Sequence, residues 1–179
     1  MAHDTRFDDG DVQALIARFH LVPHPEGGFY AETFRSTDAI ARGDGQAREA
    51  STAIYFLLPA GTFSALHVVA ADEVWHHYWG GALELVTLTP EGALTRTVLG
   101  DAWASGAAPQ HVVPRGVWQA ARPAEGRAVL VGCTVAPGFR FEDFAMPSRA
   151  ALLTQFPQHA DLVRELTRAD ADAIGGPAR

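Results

Sequence analysis

The chain contains no lysine. All 14 of its basic residues are arginine, which excludes a Schiff base formed on a protein lysine. It has a single cysteine, Cys133, so neither an intrachain disulfide nor a thiolate metal cluster can be built. Within the apolar run Val129 to Val135 that thiol reads as a small buried hydrophobe. No apolar stretch approaches the roughly 18 residues of a membrane helix, and the amino-terminal Met1 to Asp9 is polar and acidic where a secretory leader would be basic and then apolar. Clustered positive charge is missing too: the formal net charge is −7, which leaves nothing to neutralise phosphates or anionic headgroups. These absences predict a cytoplasmic protein that binds neither a nucleic acid polymer nor a membrane.

What is present is a core. With 179 residues and 47% hydrophobic side chains, one domain spanning 1–179 is expected. Val12, Leu15, Ile16 and Phe19 recur at helical spacing and place a short amphipathic helix at about 11–20, which Pro23 and Pro25 stop. From Gly28 the pattern changes to short β runs: Phe29 to Arg35, Ser51 to Leu58, Ser64 to Val69, Glu73 to Trp79, Leu83 to Leu88, Leu94 to Leu99, His111 to Val113, Val117 to Ala121 and Val129 to Val135. Turn residues punctuate them, as at Pro59 to Gly61, Gly80-Gly81, Pro114 to Gly116 and Pro123 to Gly126. Many short strands without alternating helices predict an all-β antiparallel sandwich or barrel. Helical periodicity returns at 148–169, with Ser148 as N-cap before Arg149 to Gln155 and a second segment carrying Leu162, Val163 and Leu166. The tail Gly175 to Arg179 is expected to fray.

Strand alternation puts His67 and Val69 on one face, and Glu73, Trp75, His77 and Trp79 on one face of the next strand. If both faces point inward, two imidazoles and a carboxylate converge in one pocket, where burial demands hydrogen bonds, a metal or solvent. His24 reads as a turn residue, Gly27-Gly28 as a tight turn feeding the next strand, and His76 as pointing away. Glu142 and Asp143 read as solvated charges.

Gly61, His67, Glu73 and Gly80 resemble the first motif of the cupins, with Val69 where a second histidine would stand. Pro114 and Gly116 fit the second motif, with Gln119 in place of its histidine. The segments Leu21 to Ser36, Ser51 to Leu58, Asp72 to Gly80, Val113 to Ala121 and Pro137 to Phe144 resemble, in order, the cupin-5 family, once a domain of unknown function. The resemblance implies a double-stranded β-helix, that is, a jelly-roll barrel at about 28–145, usually dimeric and akin to dTDP-sugar 3,5-epimerases. It implies a homodimer in which the Phe29 to Arg35 strand lies against the partner.

By that kinship His67 stands where an epimerase keeps its base, with Tyr30 or Tyr55 as the candidate acid. Glu73 and His77 would polarise or orient the ligand. Arg35 offers a planar donor fork for a carboxylate or phosphate, or else an ion pair with Glu32. Trp118 offers a stacking face or fills the barrel mouth, and Gln119 offers an amide. The expected partner is a sugar-like or nucleotide-linked small molecule. No cofactor is expected. The alternative is a divalent transition metal on His67, Glu73 and His77 serving a dioxygenase or isomerase, with Gln119 adding only an amide oxygen. A third reading is a non-catalytic binding barrel.

Overall fold

The computed structural model describes residues 9–43 and 45–169; the tail Gly175 to Arg179 lies outside them. The helix α1 (Asp9–Phe19) is followed by the strands β1 (Val22–Pro23), β2 (Phe29–Arg35), β3 (Ala39–Ala41), β4 (Ala47–Glu49), β5 (Thr52–Leu58), β6 (Ser64–Val69) and β7 (Asp72–Gly80). The chain continues through β8 (Leu83–Leu88), β9 (Leu94–Leu99), β10 (Gln110–Val113), β11 (Trp118–Pro123), β12 (Val129–Ala136) and β13 (Phe144–Ala145). It then forms α2 (Arg149–Gln155) and α3 (Ala160–Glu165).

The strands form three separate antiparallel sheets, in the orders β1-β2-β5-β12-β7-β10, β13-β6-β11-β8-β9 and β3-β4. This corrects the expected all-β closed barrel. Among the described residues no sheet closes on itself, because the six-stranded sheet ends at β1 and β10 and the five-stranded one at β13 and β9. With three α-helices among the described residues the fold is a mixed one. Alternation in the sequence reports which faces are buried, whereas closure depends on which strands end a sheet, and alternation does not encode that.

The two large sheets pack face to face. Phe56, Trp75 and Val131 from one meet Leu83, Leu85 and Ala121 from the other in one buried cluster. The outer face of the five-stranded sheet is also covered, which is why every residue of β6 is buried. Leu66, Val68 and Trp118 pack there against Leu152, Phe156 and Val163 of the carboxyl-terminal helices. Helix α2 starts where the sequence signals it, with the Ser148 hydroxyl accepting from the Ala151 amide at 3.3 Å. Helix α1 covers part of the six-stranded sheet's outer face, where Val12 and Leu21 meet Leu57 and Leu130. Among the described residues no helix is long and apolar enough to cross a membrane.

One irregularity matters for the site. Leu130 pairs with Trp79 but Val131 pairs with His77, so Tyr78 is an extra residue in β7. The bulge turns Trp79 onto the outer face beside Tyr55 and Leu130. Trp79 therefore does not share a face with Glu73, as simple alternation predicts.

Candidate functional site

Between the two large sheets, at the end where β13 and the Phe139 to Phe144 segment cross, lies a cavity of about 150 Å³. Its walls include Tyr30, Ile54, Phe56, Val69, Val135 and Phe144, and its polar lining includes His24, Glu26, His67, Glu73 and Cys133. Strand register explains the layout. Arg35 pairs with Thr52, Thr52 with Val135, and Val135 with Glu73. One row of the six-stranded sheet thus runs from a guanidinium on β2 to a carboxyl on β7, roughly 14 Å apart at ordinary strand spacing.

The polar floor is held tightly. His67 is 2% exposed, and its Nδ1 donates to the Ala65 carbonyl at 2.8 Å. Burial pushes its pKa down, against the opposing pull of the Glu73 charge. Burial pushes the Glu73 carboxyl above its ordinary range. Beneath His67, Gln119 donates its amide hydrogen to Glu73 Oε2 and accepts from Trp75 Nε1 at 2.8 Å. Cys133 is buried, as expected, and burial together with Glu73 pushes its thiol well up.

His24, which the sequence reads as a turn residue, and its neighbour Glu26, which carries no reading there, belong to this floor. The Gly27 amide closes a turn on the His24 carbonyl at 3.0 Å, and the His24 amide bonds the Gly28 carbonyl at 3.0 Å. Gly27 has φ +117°, and a Cβ there would meet the Phe63 carbonyl at 2.2 Å, so only glycine lets the turn approach β6 so closely. The turn delivers the Glu26 carboxyl beside His67 Nε2 at 3.4 Å and His24 Nδ1 at 3.5 Å. The Ser64 hydroxyl donates to Glu26 Oε1 at 2.8 Å. His24 stands edge-on to Tyr30, ring centroids 4.6 Å apart. The signal that could have found them is an acidic residue held between two turn-forming glycines and a histidine, though only a contact 41 residues further along the chain gives it meaning.

The candidate residues therefore divide. His67, Glu73, Tyr30, Glu32 and Arg35 line the cavity, and Gln119 supports it from below. Tyr55 lies on the opposite face of its sheet, against Phe19 of α1 with ring centroids 4.8 Å apart. Trp118 packs outward against Phe156, 5.9 Å between centroids, and neither stacks on a ligand nor fills a mouth. His77 shares the inward parity of Glu73 but stands about 13 Å further along the strand, beyond buried Trp75, and donates Nε2–H to the Gly81 carbonyl at 3.0 Å. His76 points away as expected, bonding Thr134 Oγ1 and Gln110.

At the rim, Arg35 forms the ion pair with Glu32 through two hydrogen bonds of 2.9 and 2.7 Å. It also reaches the Phe139 carbonyl at 3.1 Å and Glu49 at 3.2 Å. Asp143 is not a solvated charge. Arg42 and Arg48 clamp it at 2.8 and 2.7 Å and hold its carboxyl below the usual range, against the upward push of burial. Glu142 is exposed but pairs with Arg48 at 2.7 Å.

This donor set does not fit a metal ion. His77 is out of reach, Val69 offers no donor, and Gln119 spends its oxygen on Trp75. Among the described residues no group of three His, Cys, Asp or Glu side chains is placed to hold one.

Residues 13–147 match the family model described as Cupin superfamily (DUF985), Cupin_5. The uncharacterized protein YML079W of Saccharomyces cerevisiae is 32% identical over 147 residues, which cover 74% of this chain and 73% of that one. Among solved structures, protein SO0799 of Shewanella oneidensis is 39% identical with a TM-score of 0.81, covering 88% of this chain and 98% of its own. A hypothetical protein from Leishmania major is 30% identical with a TM-score of 0.81, covering 87% and 97%.

Proposed function

We propose, for a chain that belongs to the Cupin_5 (DUF985) family of the RmlC-like cupin superfamily, that the cavity binds a small carbonyl compound and moves a proton beside its carbonyl without a metal. The observation that carries this reading is the state of His67. With Nδ1 tied to the Ala65 carbonyl, the neutral ring keeps its lone pair on Nε2, on the side of the polar floor. Burial lowers its pKa, so the ring is unprotonated and ready to act as a base at neutral pH.

Tyr30, on β2 across the cavity from β6, is the acid that would return a proton to the other side of the ligand. Glu73 orients the carbonyl. A cavity of about 150 Å³ has room for a sugar-sized molecule or smaller. Arg35 and Arg140 line both this cavity and the open groove outside it, which supports the nucleotide-linked version of the ligand: the sugar inside, the phosphates across the two guanidinium groups. The assembly in this reading is a homodimer. Strand β1 covers only the first two residues of β2, and Phe34 further along that strand is 53% exposed.

A thermal-shift screen against keto-sugars, nucleotide sugars and small keto compounds identifies the ligand class. With a hit in hand, solvent deuterium is expected to enter the ligand at the carbon next to the carbonyl. His67→Ala should lower that rate by about 10²–10⁴-fold. Tight binding without exchange in the native protein would replace this reading with a non-catalytic binding protein.

A further inference from the structure

Glu26 sits between two imidazole nitrogens, and neither brings a hydrogen to it while both rings are neutral. His67 Nδ1 lies 2.8 Å from the Ala65 carbonyl, and a carbonyl only accepts, so the hydrogen of neutral His67 is on Nδ1 and Nε2 is a lone pair. The Glu26 backbone amide donates to His24 Nδ1 at 3.4 Å, so that nitrogen is a lone pair as well. Both face one oxygen: Glu26 Oε2 is 3.4 Å from His67 Nε2 and 3.5 Å from His24 Nδ1. The three side chains are 8%, 3% and 7% exposed, so little water reaches the contact to relieve it. A bare carboxylate there would set a charged oxygen against two lone pairs in a poorly solvated site. One hydrogen on Oε2 satisfies the arrangement, while Oε1 is already satisfied by the Ser64 hydroxyl at 2.8 Å.

We infer that Glu26 rests as a carboxylic acid, its Oε2 hydrogen shared between the His67 Nε2 lone pair and the His24 Nδ1 lone pair, which also accepts from the Glu26 amide and is the weaker acceptor, and that it is a positioning residue for proton transfer by His67. The groups facing it are His24, His67, Ser64, Glu73 across the floor, and Arg168, whose guanidinium donates to the Glu26 backbone carbonyl at 2.9 Å. Burial favours the neutral form of Glu26 and outweighs His24, the Ser64 hydroxyl and Arg168, which all favour the ionised one.

The role of this proton rests on the function proposed above. When the hydroxyl points to His24, His67 Nε2 is free to take a hydrogen from the ligand carbon. The electron pair of that C–H bond passes to the carbonyl oxygen, giving an enolate and an imidazolium, and the reverse step restores both without any further reactant. Neutral Glu26, His67 and His24 bring no positive charge to the floor, which suits an uncharged ketone or aldehyde as the reacting group, because a buried carboxylate ligand would find no countercharge there.

Infrared difference spectra of the whole protein at neutral pH test the protonation state. A carboxylic-acid C=O band that shifts in deuterated water and is missing from Glu26→Gln is expected, with ¹⁵N NMR showing neutral His67 protonated at Nδ1. An acid band unchanged in intensity in Glu26→Gln, or His67 as an imidazolium, overturns it; a residual band that disappears in Glu73→Gln belongs to Glu73. Should Glu26→Gln fail to fold, ¹³C-carboxyl-labelled Glu73→Gln protein serves instead: one acid-form glutamate at neutral pH supports the assignment and none overturns it. The positioning role predicts that Glu26→Gln slows deuterium entry by on the order of tenfold and flattens its pH profile, with rescue by Glu26→Asp; an unchanged rate refutes that role. Absence of exchange in the native protein would remove the proposed reaction and leave the infrared result standing.

Discussion

Gln119 donates to the Glu73 carboxyl and accepts from Trp75 with the same side chain, so one amide satisfies two buried neighbours. Gln119 is itself 1% exposed. Replacing it with leucine keeps the volume but leaves the Trp75 N–H and a Glu73 oxygen without their partner. Chemical denaturation should show a loss of about 1–3 kcal/mol for each group left unsatisfied. A Gln119→Leu protein as stable as the native one would mean that the amide is dispensable.

The buried carboxyl of Glu73 gives stability a pH dependence of defined sign. Its folded pKa lies above the unfolded value of 4.5, first because of burial. The folded state therefore holds this proton more tightly than the unfolded chain does. That contribution is fully present below pH 4.5 and is lost as pH rises through the folded value. Glu73→Gln cannot ionise and escapes this loss. Melting temperatures of the two proteins measured from pH 4 to pH 9 should diverge in favour of Glu73→Gln as pH rises. A constant difference would show that Glu73 titrates normally.

The strands around the site were legible because each is framed by turn residues and carries clear alternation. Phe29–Arg35, Ser64–Val69, Leu83–Leu88 and Leu94–Leu99 have the limits the sequence indicates. The very short β1, β3, β4 and β13 were not legible, since two or three residues carry no period. His67 and Glu73 were legible from their spacing. His77 and Trp79 were misplaced for different reasons: Trp75 fills the space between His77 and the cavity, and the extra Tyr78 turns Trp79 outward. Glu26 carried a local signal, an acid between His24 and Gly27-Gly28, with no meaning of its own, because its role comes from contacts with Ser64 and His67, which are brought close only when β6 docks on the turn.

Trp118 and Tyr30 separate structural from functional weight. Trp118 packs under the carboxyl-terminal helices, away from the cavity. Trp118→Ala should therefore cost about 3–5 kcal/mol of stability and leave ligand affinity unchanged under conditions where it remains folded. Tyr30→Phe should do the reverse, retaining the melting temperature while lowering deuterium exchange. Equal ligand binding and exchange in Tyr30→Phe and native protein would remove Tyr30 as the acid.

Val69 and Gln119 hold the two positions where the cupin motifs place histidines, and both face the cavity side of β6 and β11 next to His67. Val69 lines the cavity directly, and Gln119 pairs in register with His67. A Val69→His and Gln119→His double substitution would set three imidazoles beside Glu73, the donor set suited to Mn, Fe, Ni or Zn. Titration with Mn and Zn, read by calorimetry and by bound metal after desalting, should show one site in the double variant and sub-stoichiometric retention by the native protein. Stoichiometric metal on the native protein would show that His67 and Glu73 recruit donors beyond those placed around them. Retention by neither protein would show that the floor around Glu73 and Trp75 keeps a shape that does not admit the ion even without the Gln119 amide.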